Sequence, residues 1–319
     1  MQSSMWTVIV QIFPYAIAFT IPLLITALGG LFSERSGVVN IGLEGLMVIG
    51  FFASALVISK LELALPDIAI GLGLLAAFIA GALFSLLHAF ACISLNANQV
   101  ISGTAINMIA GALTVFLARN MTGSGNILII HGLVRRNVPL LCKIPVVGRL
   151  IFTQTYATTW LVLAILLVSW FLLYKTSFGL RLRACGEHPQ AADSAGINVY
   201  RMRYIAVMVS GAFAGLGGAI ILVTYSGEFT GTVSGLGFLA LAALIFGQWK
   251  PLGILGATFF FGFASTIANV SQVIPALSRI PGILLKNFPY IITLAVLVLS
   301  SKYSQAPRAV GEPYDKAKR

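Results

Sequence analysis

The stretch KTSFGLRLRACGEHPQAADSAGINVYRMRY, Lys175 to Tyr204, decides how the rest of the chain is read. It holds seven charged residues, Lys175, Arg181, Arg183, Glu187, Asp193, Arg201 and Arg203, between two long apolar runs. Within it, Pro189 follows His188, opens Gln190, Ala191, Ala192, Asp193, Ser194 and Ala195, and Gly196 closes them. Proline near the first turn and glycine as the stop predict a short helix. The insert is too polar to cross a membrane and too short to be a domain, and a short helix held between two spans is a shape that another protein can grip.

Working outward, 58% of the 319 residues are hydrophobic, only 9% are charged, and the mean hydropathy is +0.96. Soluble domains carry about 25% charged residues, so the bilayer is the solvent here. Crossing a hydrocarbon core of about 30 Å takes roughly 20 apolar residues at 1.5 Å each, and several windows meet that length. Runs such as WLVLAILLVSWFLLY, Trp160 to Tyr174, do not alternate as barrel strands must, so the fold class is an all-α polytopic membrane protein. The first charged residue is Glu34, so the N-terminal segment lacks the positive region of a signal peptide and reads as a retained first span. Cys92, Cys142 and Cys185 have no close spacing and read as packing residues rather than metal or disulfide partners. In such a chain a net charge of +11 speaks of topology, and no nucleic-acid partner is expected.

Nine apolar segments run over 6–32, 37–59, 68–95, 99–118, 157–174, 203–226, 236–248, 251–270 and 280–300. The segment from Gly237 to Trp249 is too brief to cross, and its glycines and Pro251 predict a half-helix or broken helix, which needs protein or a water-filled cavity around it. Basic residues gather in the opening stretch and in the tail, at Lys302, Arg308, Lys316, Lys318 and Arg319. Placing both in the cytoplasm gives an outside N-terminus and a cytoplasmic C-terminus. The loop from Arg119 to Tyr156, with five basic residues, opposes this, although its stretch LLCKIPVVGRLIF reads as interfacial. In GAFAGLGGA, Gly211 to Ala219, small residues recur at the spacing that lets helix backbones approach closely; a backbone-lined solute path is the alternative.

Polar residues inside apolar surroundings are the candidates for function. Glu34 and Arg35 read as a turn between spans. Asn40 and Glu44 are expected on one helical face, at a constriction or an interhelical hydrogen bond. Asn96, Asn98, Gln99, Ser102, Thr104 and Asn107 form a row of neutral amides and hydroxyls that suits an uncharged, hydrogen-bonding solute, or equally helix-to-helix hydrogen bonding. Glu228 reads as a solvated loop acid. His88, His131 and His188 are dispersed, no nucleotide, zinc or nucleophile motif occurs, and neither enzyme activity nor a metal is expected.

Three stretches carry a resemblance: Glu34 to Ser54, Phe178 to Ala219 and Gly235 to Gly262. Together they resemble the permease subunits of bacterial ATP-binding-cassette importers, in the branch that includes branched-chain amino acid, ribose-type sugar and nucleoside permeases, and look closest to the nucleoside subfamily. The resemblance implies a type II-importer-like fold of about nine membrane-embedded helices including one short broken one. It implies a permease domain over 1–303 with an extracellular loop at 119–156 and a cytoplasmic coupling loop at 176–202, followed by a cytoplasmic tail over 304–319. Glu187, His188, Pro189, Gln190, Ala191, Ala192, Asp193, Ser194, Ala195 and Gly196 would then be the coupling helix that docks on a cytosolic ATPase. That ATPase would hold ATP and Mg, this chain holding no cofactor. A second, unlike permease, an extracellular substrate-binding lipoprotein, membrane lipid and a nucleoside as the solute complete the implied partners in a bacterial plasma membrane. The expected pathway residues are Asn40, Glu44, Asn98, Gln99, Ser102 and Asn107. Two alternatives stay open: the same machinery carrying a simple sugar or branched-chain amino acid, and an ion-gradient transporter using Glu44.

Overall fold

The computed structural model describes residues 5–139, 141–270, 287, 291 and 305–316, the side chains of 5–9 and 270 excepted. Seven of its helices are long and apolar enough to cross a membrane. Helix α1, Met5–Arg35, runs on through Pro14 and Pro22. It is followed by α2, Leu43–Leu61, by α3, Pro66–Ala89, which continues as a π turn over Phe90–Ser94, and by α4, Gln99–Thr122. The linking segment contains strand β1, Ile127–Leu128, a 3₁₀ turn at Leu141–Lys143 and the short α5, Val147–Ile151. Then come α6, Ala157–Lys175, the pair α7, Ser177–Glu187, and α8, Pro189–Ser194, and α9, Val199–Ile221, which also ends in a π turn, Leu222–Ser226. Strand β2, Glu228–Phe229, pairs antiparallel with β1. Helices α10, Leu236–Phe246, and α11, Pro251–Val270, complete the described bundle.

The bundle has a centre and a shell. In α1 and α9 the most apolar windows are 89% and 78% buried, whereas in α3 and α4 the figure is 22%. Central helices sit among α2, α3, α10 and α11, while the outer face of α3 and α4 shows Leu75, Leu83, Met108 and Phe116. On α3 the large apolar side chains face outward and the small ones inward, the pattern that close helix packing in lipid favours. The inner face of α3 is Ala69, Gly73, Ala77, Gly81 and Ser85, one residue per turn. It meets Gly211 and Gly215 of α9 so closely that a Cβ on Gly81 would strike the Gly211 carbonyl and lie 3.0 Å from the Gly215 Cα. On its other side α9 presses Gly218 against α2, where a Cβ would lie 2.9 Å from the Phe51 nitrogen. The GAFAGLGGA stretch thus packs as its spacing predicts.

Helix α10 has 11 residues, about 16 Å at 1.5 Å each, half of a hydrocarbon core. It stops at Gly247, and Gln248 and Trp249 take φ of +52° and +51° before Pro251 starts α11. The broken helix expected here is therefore present. Eight of the nine predicted apolar segments lie on these helices; the ninth, 280–300, lies outside the described residues except for Asn287 and Ile291. One boundary differs: 37–59 was expected to be apolar span throughout, but α2 begins only at Leu43, behind a turn at Ile41 and Gly42. Asn40 therefore precedes the helix and shares no helical face with Glu44. Asn96, at φ +52°, likewise precedes α4.

Candidate functional site

A cavity of about 530 Å³ opens where α1, α2, the π turn of α9, the start of α10 and the far end of α11 converge. Phe19, Phe51, Ile221, Leu236 and Leu239 supply apolar wall, and Phe19 and Tyr225 lie against each other as a tilted pair with ring centroids 4.6 Å apart at 35°. Polar groups come from the loop after α9, at Ser226, Thr230, Thr232 and Ser234, and from Ser265, Asn269 and Asn287. Among the described lining residues none is an Asp, Glu, Lys or Arg. An apolar wall with a few converging neutral polar groups is the usual make-up of a small-molecule pocket, and its size lies within the roughly 300–1,000 Å³ range. Local backbone geometry sets this wall. The Tyr156 hydroxyl donates to the Thr224 carbonyl at 2.8 Å, fixing the turn that carries Tyr225.

The six residues expected on a pathway lie elsewhere and have partners. Asn40 donates to the Ser210 hydroxyl at 2.9 Å and accepts from the Gly42 N–H. Asn98 caps α4 by accepting from Val100 and Ile101. The Gln99 side-chain oxygen accepts from the Val39 N–H at 2.6 Å, and Ser102 pairs with His88 at 2.9 Å. Asn107 accepts from the Gly45 N–H and donates to the Ile41 carbonyl. Asn40, Gln99 and Asn107 thus pin the non-helical entry to α2 and Asn98 caps α4, each satisfying backbone groups outside a regular ladder, while Ser102 holds His88, which bonds the Val39 carbonyl in turn. The sixth, Glu44, accepts from the N–H groups of Gly235 and Gly237 at 2.8 and 2.7 Å, so it caps α10 from a neighbouring helix and holds the Ser234–Leu236 edge of the cavity. Sequence reasoning passed over Phe19, Tyr225, Ser265 and Asn269. Only the meeting of α1, α9 and α11 sets these apart from ordinary span residues.

At the opposite end of α10 the predicted short helix is in place. Pro189 and Ala192 of α8 are buried, while His188, Gln190, Ala191, Ser194, Ala195 and Gly196 are exposed. Gly196 takes φ +81° to end it. A groove of about 760 Å³ runs beside it, lined by Phe178, Arg181, Ala184, Asn198 and Arg201. Cys185 lies beneath; burial pushes its thiol up to about 11, against the opposing charge of Arg203. Glu34 and Arg35 do more than make a turn. Trp249 donates its indole N–H to Glu34 at 2.5 Å, Arg35 donates to the Trp249 carbonyl at 2.8 Å, and Arg35 reaches Glu187 at 3.8 Å. The end of the broken helix and the end of α7 are thereby tied to one turn. The tail joins the same knot: Ala309 donates to the Gly186 carbonyl, Gly311 to the Gly37 carbonyl, and buried Arg203 donates to the carbonyls of Ser36 and Glu312.

Comparison with known proteins places this geometry. The family described as "Branched-chain amino acid transport system / permease component" matches residues 12–300. The guanosine ABC transporter permease protein NupQ of Bacillus subtilis is 49% identical over 97% of this chain and 97% of its own. The nucleoside ABC transporter permease protein NupC of Lactococcus lactis subsp. cremoris is 43% identical over 94% and 95%. Among solved structures, a metal-chelate type ABC transporter in an inward-facing conformation superposes with a TM-score of 0.50 at 15% identity, covering 91% of this chain and 85% of that one, a likeness of fold alone.

Proposed function

We propose a function from one premise: the chain belongs to the branched-chain amino acid transport system / permease component family, whose match spans nearly all of it. It is a multi-pass membrane permease subunit of an ABC transporter. In our reading it forms the pathway of an ATP-driven importer of nucleosides. The observation that carries this is the near-full-length identity of 49% and 43% to relatives named for guanosine and nucleoside. The neutral lining of the cavity supports it: a nucleoside is uncharged, whereas an amino acid needs partners for a carboxylate and an ammonium.

Family membership implies a partner ATPase, which would hold ATP and Mg, and a second permease; this chain performs no hydrolysis in that scheme. An extracellular binding lipoprotein would deliver solute at the cavity end. We assign the end bearing α7, α8 and the tail to the cytoplasm and the segment over 119–156 to the outside, in keeping with the concentration of Lys and Arg at the former. Residues Glu187 to Gly196 would then dock on the ATPase. A push on α8 would travel through Glu187 to Arg35, from Arg35 to Trp249, and so to the foot of α10, whose head is capped by Glu44 at the cavity rim. Rocking of α10 between two positions is a rigid-body change of the kind that alternating access requires.

The test uses the complete transporter in proteoliposomes. Glu187→Arg, or deletion of 188–195, is expected to leave insertion intact and to abolish guanosine uptake while ATP turnover continues. Uptake at the wild-type rate in both variants would sink the coupling assignment. Collapsing the membrane potential with ATP maintained should spare uptake; loss of uptake would instead favour an ion-gradient transporter.

A further inference from the structure

We infer that the cavity at the head of α10 is a binding station for the nucleoside, in which the base stacks on the Phe19–Tyr225 wall and the Tyr225 hydroxyl bonds the ligand. This rests on the nucleoside reading above and adds the site and the mode of recognition.

Three independent features converge. Tyr225 lies in the π turn that ends α9, and π turns are frequent where a helix is distorted for function. Its hydroxyl is buried and has no hydrogen-bond partner among the described residues, although Ser226, Thr230 and Ser234 line the same cavity. A buried polar group without a partner is costly, and one that lines a cavity is satisfied when a ligand arrives. The Phe19 and Tyr225 rings, 4.6 Å apart, make a continuous aromatic wall with Phe51 also lining the space, and the faces of such rings attract every nucleobase.

The polar side of the cavity answers the sugar. Ser265 and Asn269 stand one turn apart on α11, and Asn287 joins them, so hydroxyl and amide groups are presented to the hydroxyls of a ribose. No described lining residue bears a charge that would hold a phosphate, so the ligand is a nucleoside and not a nucleotide. The wall predicts that affinity comes mainly from the base. Guanine should therefore compete with guanosine, ribose should compete weakly, and guanosine monophosphate should not compete.

The experiment measures binding of tritiated guanosine to the purified permease–ATPase complex in detergent, with melting temperature followed in parallel. Tyr225→Phe keeps the ring and removes a hydroxyl with no described partner, so it should weaken binding about fivefold without lowering the melting temperature. Tyr225→Ala and Phe19→Ala should weaken it at least about tenfold, in line with the loss of a stacking ring. If all three variants bind guanosine as the wild type does, the station is overturned while the nucleoside reading stands. Tyr225→Phe that binds normally but melts earlier would show a structural hydroxyl and also overturn it. A wild-type complex that neither binds nor imports any nucleoside overturns the reading itself, and the station with it.

Discussion

The middle of the bundle and its polar end are held together in opposite ways. In the middle, α9 touches α2 and α3 backbone to backbone through Gly50, Gly81, Gly211, Gly215 and Gly218, with no room for a methyl group. At the polar end, α7, the foot of α10 and the tail are joined by directional bonds: Arg35 and Arg203 donate to carbonyls, Trp249 donates to the Glu34 carboxylate, and Ala309 donates to the Gly186 carbonyl. Steric contact is non-directional and fails as soon as volume is added. Hydrogen bonds can be exchanged one at a time as helices shift. The middle therefore has the make-up of a fixed spine and the polar end that of a joint, the division that the drive proposed above would use.

Four experiments would break or sharpen this contrast. The largest effect is expected of Gly215→Val, because a Cβ there would strike the Ala77 carbonyl and lie 3.2 Å from the Gly81 Cα. It should cost about 3 kcal/mol or more and leave little protein in the membrane. Gly71→Ala and Gly111→Ala, where a Cβ meets nothing within 4 Å, should be tolerated. Equal yields and melting temperatures across the three would end the idea of a steric spine. Next comes Arg203→Met, which leaves the Ser36 and Glu312 carbonyls without their donor. A loss of about 1.5–3 kcal/mol is expected, with trypsin cleaving faster at the exposed Arg308 of the loosened tail. A tail cleaved no faster than in the wild type would count against the anchor.

A smaller effect on stability is expected of Glu187→Gln. The carboxylate is 42% exposed and 3.8 Å from Arg35, so the pair should contribute under about 1 kcal/mol. Uptake per ATP hydrolysed should nonetheless fall, and a large drop in melting temperature with coupled uptake intact would recast Glu187 as a structural residue. The smallest change concerns Cys185. Burial holds its thiol at about 11, so it is protonated at lower pH and becomes thiolate only as pH rises through that value. Iodoacetamide at pH 8 should spare Cys185 while reaching the partly exposed Cys142, as peptide mass mapping would reveal. Rapid alkylation of Cys185 at pH 8 would mean that the α7 platform opens.

Much of the fold was legible. Span lengths, the half-helix before Pro251, the Pro189–Gly196 helix and the close-packing glycines all follow from local chemistry, because lipid permits few alternatives for a backbone that must satisfy itself. The site was less so. A row of amides at Asn98, Gln99, Ser102 and Asn107 reads from sequence either as a solute path or as hydrogen bonding between helices, and the contacts show bonds to Val39, Ile41, Gly45 and His88 and the cap of α4. Polarity along one helix does not reveal what stands opposite.

By itself the sequence determined that this chain lives in a bilayer, where most of its helices run, and where a short polar helix stands between two spans. These depend on hydropathy and on residue spacing along a single element. Tertiary structure alone decided that Glu44 caps α10, that Arg35 joins Glu187 to Trp249, and that Phe19, Tyr225 and Asn269 face one cavity. Each of those contacts joins residues distant in the chain, and only the packing of the helices fixes which side chains meet.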